Sequence, residues 1–235
     1  EMSMKIHKCF NNGNIKTQNY SAGGLIGYVF SNPTIGIEII NSENNGFITA
    51  KYDYAGGFIA QLQRNTGNLT ISESTNNGII NGRTGVGGLV GKVQDIKTDA
   101  TISNCSNNGS VTGQSDAGGL VGRISAPSDS LVLLFIVLNS ENKGVVFGTN
   151  EYACGMFCVD ESKSERVNAT LLNSINKGRV NAKTSAHCIT NIINTARNVV
   201  SMGIASGLSE SYTFWKTSTD VDLFYGMKDK CINCN

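Results

Sequence analysis

A three-residue turn, Asn-[Asn/Lys]-Gly, occurs six times: Asn11-Asn12-Gly13, Asn44-Asn45-Gly46, Asn76-Asn77-Gly78, Asn107-Asn108-Gly109, Asn142-Lys143-Gly144 and Asn176-Lys177-Gly178. Its glycines lie 33, 32, 31, 35 and 34 residues apart, and a fixed period of about 20–50 residues is the mark of a repeat architecture. Counting from each glycine exposes fixed slots. Two residues on stands Ile15, Ile48, Ile80, Val111, Val146 or Val180, and four on a short side chain, Thr17, Ala50, Gly82, Gly113, Gly148 or Ala182. Seven before lies Ile39, Ile71, Ile102, Val137 or Leu171. β-Branched residues on one parity with polar ones between them read as strands.

A second motif follows each turn: Ala22-Gly23-Gly24-Leu25-Ile26-Gly27, Ala55-Gly56-Gly57-Phe58-Ile59-Ala60, Val86-Gly87-Gly88-Leu89-Val90-Gly91 and Ala117-Gly118-Gly119-Leu120-Val121-Gly122, decaying at 153–157 and 186–189. Each unit is expected to hold about three short strands, and one unit buries too little to stand alone, so equivalent slots must stack on their neighbours. The expectation is an all-β, right-handed parallel β-helix of about six to seven turns over residues 1–207, with equivalent residues ~4.8 Å apart. The last unit, at Gly203, keeps Ala205, Gly207, Asn198 and Thr195. Within it Ile189, Ile192, Ile193, Ala196 and Val200 also fit helical spacing, so strand and helix both stay open for 188–202.

The turn is expected to bend through its glycine, which supplies positive φ. Asn11, Asn44, Asn76, Asn107, Asn142 and Asn176 should then stack as a ladder of side-chain amides. A second ladder is expected at Asn41, Asn104, Asn139, Asn173 and Asn198, broken by Lys8 and Glu73.

Composition narrows the function. The 19 basic and 18 acidic side chains leave +1, so long-range electrostatics favours neither nucleic acid nor an anionic membrane. The longest apolar run, Leu131–Leu138, has eight residues, too few for a membrane-spanning helix, and reads as a strand buried on both faces. The opening residues show no signal-peptide core and lead almost directly into the first repeat, the pattern expected of a segment of something longer. The N-terminal end is therefore expected to continue into further chain or to pack on a partner.

Gly-Gly-Leu-Val-Gly following an Asn-x-Gly-x-Val-x-Gly stretch resembles the GLUG-type repeat of large surface and adhesin-like proteins of bacteria and some protists. The resemblance covers residues 7–207, and Ser211–Thr219 resembles the aromatic segment closing such arrays. It implies a secreted or cell-surface module, in adhesion or as a structural spacer, with a possible glycan or protein ligand, no cofactor and no catalytic residues. Independently, an open solenoid end needs a cover. Residues 208–235, with Phe214, Trp215, Asp220, Asp222, Phe224 and Tyr225, are the expected C-terminal cap.

Chemistry-bearing residues are few. Cys231-Ile232-Asn233-Cys234 could be half a zinc site, a redox pair or a local disulfide; with no second C-x-x-C, a small disulfide or a link to following chain is expected ahead of zinc. Cys154 and Cys158 read as buried apolar side chains. Cys9 and Cys105 share a slot three turns apart, ~14 Å by strand spacing, too far to bridge. The alternative to a non-catalytic module is a carbohydrate-binding or carbohydrate-active β-helix, which needs converging carboxylates. Asp53, Asp95, Asp99, Asp116 and Glu151 fall in different slots. Lys92 and Arg123 share an outward slot near that of Tyr28, a patch for an acidic glycan or, more simply, solvated surface.

Overall fold

The structure is a computed structural model that describes residues 2–30, 35–64, 67–96, 98–126, 132–187, 189–191, 193–201, 205–206 and 221–222. Each repeat forms one rung of short strands, and like strands of successive rungs pair in parallel into five sheets. The first sheet holds eight strands: Met2–His7, Ile35–Ile40, Leu69–Ser72, Ala100–Ser103, Leu133–Leu138, Val167–Leu172, Thr195–Arg197 and Val221–Asp222. The second runs from Phe10–Asn11 to Val200–Ser201, and the third from Ile15–Thr17 to Ala205–Ser206. The fourth runs from Ala22–Gly23 to Ser185–His187 and the fifth from Ile26–Phe30 to Phe157–Val159. Five rungs contribute to all five sheets. The chain is thus an all-β, right-handed parallel β-solenoid.

The expectation of three strands per unit is corrected to five. Two bends were not legible. One splits the first strand from the Asn-bearing arm, and the other, at Gly-Gly, splits the fourth strand from the fifth.

Register keeps like on like: Ile6 pairs with Ile39, Ile39 with Ile71, Ile71 with Ile102, Ile102 with Val137, and Val137 with Leu171. The core falls into two compartments. The larger joins this column to Phe58, Leu62, Leu89, Val93, Leu120 and Phe157 of the fifth-sheet side. The smaller joins Ile48, Ile80, Val111, Val146 and Val180 of the third sheet to Ala55, Val86, Ala117 and Ala153 of the fourth. Each fully buried Ile or Val contributes about 1.5–3 kcal/mol. The strand Leu133–Leu138 of the apolar run 131–138 is buried on one face and not on both, with Leu133, Phe135 and Val137 inward and Leu134, Ile136 and Leu138 half-buried outside.

The last unit is strand and not helix in its described residues. Thr195–Arg197 and Val200–Ser201 pair with the rung before them, and Asn173 N–H donates to Arg197 O at 2.9 Å. That ladder satisfies the backbone groups that a helix would otherwise pair internally. Most of the expected cap, including Trp215, lies outside the described residues. Val221–Asp222 pairs with Ala196–Arg197.

The role given to the turn glycine is corrected. None of the six has positive φ; a left-handed residue sits five before each, Lys8, Asn41, Glu73, Asn104, Asn139 or Asn173, and Asn198 keeps that slot in the last unit, with φ between 47° and 54°. Asn adopts that conformation more easily than most side chains, which explains its frequency there. The glycine is needed for a different reason: a Cβ on Gly109 would lie 1.9 Å from Gly78 O. Successive turns touch backbone to backbone. Gly13, in the first rung, would meet only Asn11 Oδ1 at 3.8 Å.

Urea unfolding should therefore separate two substitutions of the same motif. Gly109→Ala is expected to lose about 1–3 kcal/mol or more through overpacking, while Gly13→Ala changes stability by less than about 0.5 kcal/mol. Equal losses would return the glycine to a conformational role.

Candidate functional site

The predicted ladder residues are brought together. Asn44, Asn76, Asn107, Asn142 and Asn176 are fully buried. Each Nδ2 donates toward the next rung: Asn11 to Asn44 Oδ1 at 2.6 Å, Asn44 to Asn76 at 2.7 Å, Asn76 to Asn107 at 2.7 Å, Asn107 to Asn142 at 2.8 Å and Asn142 to Asn176 at 2.8 Å. From Asn44 onward the same Nδ2 also donates to the carbonyl of the turn glycine two residues on. The amides also pack across the rung on the Gly-Gly bend. A Cβ on Gly88 would fall 2.4 Å from Asn107 Cγ. The ladder is thus a polar wall between the two apolar compartments.

Two further ladders run on the surface with the opposite polarity. One was expected: Asn139 donates to Asn104 at 3.2 Å, Asn173 to Asn139 at 3.2 Å, and Asn198 to Asn173 at 2.9 Å. The other uses the middle residue of the turn, with Asn45 donating to Asn12 at 2.9 Å, Asn77 to Asn45 at 2.8 Å and Asn108 to Asn77 at 2.8 Å. It stops where the turn changes to Lys143 and Lys177, which both pair with Glu141. A serine column also went unread. Ser74 Oγ accepts from Ser42 N at 3.1 Å, and Ser140 Oγ from Cys105 N at 3.1 Å.

The cysteines separate by burial and partner. Cys9 and Cys105 are free, and burial pushes the Cys105 thiol up to about 12, which leaves it an inert thiol. Cys154 and Cys158, expected only as apolar packing, are buried and joined as a disulfide with Cα atoms 5.6 Å apart. Four residues across the decayed Gly-Gly bend bring them within bonding reach, a geometry hidden in a strand-only reading. Cys231 and Cys234 lie outside the described residues. Beside Cys154 in register stands His187, buried with no bonded partner for Nε2 among the described residues, and burial pushes its imidazole down to about 4.

One charged cluster forms at the corner of the fourth and fifth sheets. Arg123 donates from Nη1 to Asp116 at 3.2 Å and from Nη2 to Asp160 at 2.7 Å, and Ser125 Oγ donates to Asp160 at 3.1 Å. Burial holds the Asp116 carboxyl above its ordinary range against the pull of Arg123. Asp160 is taken down to about 2: its bonds to Arg123, Ser162 and Ser125 outweigh its burial, the largest single influence. Asp160 was missed because the register shifts between the pairs Val121–Phe157 and Ile124–Val159, so counting slots could not place it. Lys92, in register with Arg123, is not a solvated residue: it is buried, donates to Tyr54 Oη at 2.9 Å and lies 4.6 Å from the Tyr54 ring centroid. Asp53 pairs separately with Arg83 at 3.0 Å.

Two neighbouring carboxyls whose proton affinities are driven apart are the pairing used in glycoside hydrolysis. Here both carboxylates bond one guanidinium, so protein fills the space between them. Among the described residues no three His, Cys, Asp or Glu side chains gather to hold a metal ion, and no helix is long and apolar enough to cross a membrane.

Two predictions follow from these geometries. Asn107→Leu strands Gly109 O and removes the donor to Asn142, and is expected to cost about 1–3 kcal/mol in a thermal melt, whereas exposed Asn108→Leu should cost less than about 0.5 kcal/mol.

Acid should unfold the chain through two windows. His187 is neutral when folded, so its stability is present above pH 6.5 and lost as pH falls toward about 4. Asp160 is ionised when folded, so its share is present above its ordinary value of 3.8 and lost as pH falls toward about 2. Asp116 is shifted upward and works against this, gaining stability as it protonates. In pH-dependent unfolding, His187→Gln should flatten the upper window, and Asp160→Asn should flatten the lower one while costing about 1–2 kcal/mol at pH 7 after solvent screening.

By comparison with known proteins, the GLUG motif matches residues 82–112, the stretch from the Gly-Gly bend of one rung to the Asn-Asn-Gly turn of the next. No curated protein matches the sequence. The fold is similar to the crystal structure of "a putative immunoglobulin A1 protease from Bacteroides ovatus", at 15% identity and a TM-score of 0.61, over 91% of this chain and 65% of that one. The chain therefore spans less than two thirds of that neighbour's length, and the likeness is one of fold. The contact of the Gly-Gly bend with the buried asparagine of the next rung is, in this chain, the physical content of a GLUG motif at residues 82–112.

Proposed function

We propose that the chain is a non-catalytic repeat module of a surface protein, outside the cell, acting in adhesion or as a rigid spacer. One observation carries the reading. The residues recurring in every rung are consumed by stacking, and the charged cluster at the fourth and fifth sheets is neutralised by its own members. The GLUG motif supports a surface repeat protein, and the Cys154–Cys158 disulfide supports an oxidising compartment. In this reading the array has six to seven turns, and residues 208–235 close its C-terminal end against the edge that Val221–Asp222 joins.

A second reading, a carbohydrate-binding or carbohydrate-active β-helix, is favoured by Asp116 and Asp160, whose proton affinities are driven apart around Arg123.

The deciding experiment immobilises the chain and measures retention on glycan arrays and matrix proteins, with parallel assays for glycan and peptide-bond cleavage, the latter because the structural neighbour is named a protease. Retention without cleavage is expected for adhesion, and neither for a spacer. Turnover lost in Asp160→Asn would replace both with the enzymatic reading.

A further inference from the structure

Among the described residues, exposed aromatic side chains are unevenly placed. Phe10, Tyr20, Tyr28, Phe30, Phe47 and Tyr52 all lie in the first two rungs, and later rungs expose Phe147. For Phe10, Tyr28 and Phe30 the exposure is not merely that of an uncovered edge, because the next rungs fill their slots with polar residues. Tyr28 is in register with Gln61, which is in register with Lys92, and Phe30 with Gln63, which is in register with Gln94. Phe10 is in register with Glu43.

Four of these rings form two pairs. Tyr20 and Tyr52 have centroids 5.7 Å apart, and Tyr28 and Phe30 6.0 Å apart. Cations hold both pairs: Lys51 lies 5.4 Å and Arg83 5.9 Å from the Tyr52 centroid, and Arg64 5.6 Å from that of Phe30. Between the pairs runs a strip of hydroxyl and amide groups. Ser21, next to Tyr20, donates to Gln61 at 3.4 Å, Gln61 donates to Gln63 at 3.0 Å, and Tyr28 Oη donates to Gln63 at 3.1 Å. Three cations stand here against one carboxylate, Asp53, which pairs with Arg83.

We infer that this surface binds an oligosaccharide bearing carboxylate groups. Exposed tyrosine faces stack on the C–H faces of pyranose rings, while half-buried Ser21 and Gln63, held by buried Gln61 between them, meet sugar hydroxyls. Lys51 and Arg64 meet the acid groups, and their excess charge selects an acidic saccharide over a neutral one. This assignment rests on the adhesion reading and names its ligand class. It differs from the Lys92–Arg123 patch, whose cations are already paired.

The test is titration calorimetry of the whole chain with galacturonate oligomers, their methyl esters and neutral cello-oligosaccharides, alongside the retention assay. The acid oligomers should bind at least tenfold more tightly than the esters. Tyr20→Ala with Tyr52→Ala should weaken binding at least tenfold with an unchanged melting temperature, and Lys51→Ala with Arg64→Ala should remove the preference for acid over ester. Retention on glycans or matrix proteins that survives these substitutions would overturn the assignment and leave the adhesion reading standing. Absence of retention on any surface, with no saccharide bound, would overturn both. Retention on a protein ligand through Tyr20 and Tyr52 without saccharide binding would also overturn it.

Discussion

The solenoid depends on one contact: a buried asparagine side chain wedged between its own turn and the Gly-Gly bend of the rung before. From Asn44 onward its amide nitrogen has two acceptors, the carbonyl of the turn glycine and the Oδ1 of the next asparagine. A buried amide that satisfies its hydrogen bonds avoids a desolvation cost of about 1–3 kcal/mol per lost partner. The geometry is available only if two backbones come unusually close. Glycine is therefore required at the turn, because the backbone of the rung beneath touches it, and at the bend, because both the next rung's backbone carbonyl and the asparagine amide do. Three motif residues, remote within the repeat, answer to one steric condition.

That condition explains the two-compartment core. The asparagine wall and the Gly-Gly bend meet in mid-rung, so the Ile and Val of the third sheet face only the small residues of the fourth, while the large aliphatic and aromatic side chains collect between the first and fifth. Bonded chains of amides polarise one another, and each rung meets only its neighbours, so stability accumulates along the stack by nearest-neighbour terms. The opposite polarity of the buried and surface ladders follows from where each amide can find an acceptor: inside, on the rung ahead, and outside, on the rung behind.

Much of this was legible from residue spacing. The period, the parallel stack, the β-branched slot of Val111 and its equivalents, and the buried ladder all follow from residues recurring at fixed distances. What escaped has a common cause. Slot counting shows that a position is restricted but not why, so the turn glycine was assigned a backbone conformation that belongs to the asparagine five residues before it. The fifth rung escaped because the regular count ends there. The bend becomes Cys154-Gly155-Met156-Phe157-Cys158, the register slips, and a disulfide and Asp160 come into places no repeat position names.

Function in such a stack is sought where the repeat is broken. A residue copied into every rung answers to its neighbours above and below, and its chemistry is consumed by them: the asparagines bond one another and the aliphatic columns exclude water. A residue differing from its column is free of that duty. Tyr28 stands where later rungs carry Gln61 and Lys92, and Phe30 where they carry Gln63 and Gln94. Nothing in the stacking asks for an aromatic ring on those outward slots, and exposing one forgoes burial that would favour the fold. The first two rungs depart from the repeat outwardly while keeping its core, which is how a scaffold carries a binding surface without disturbing its own stacking.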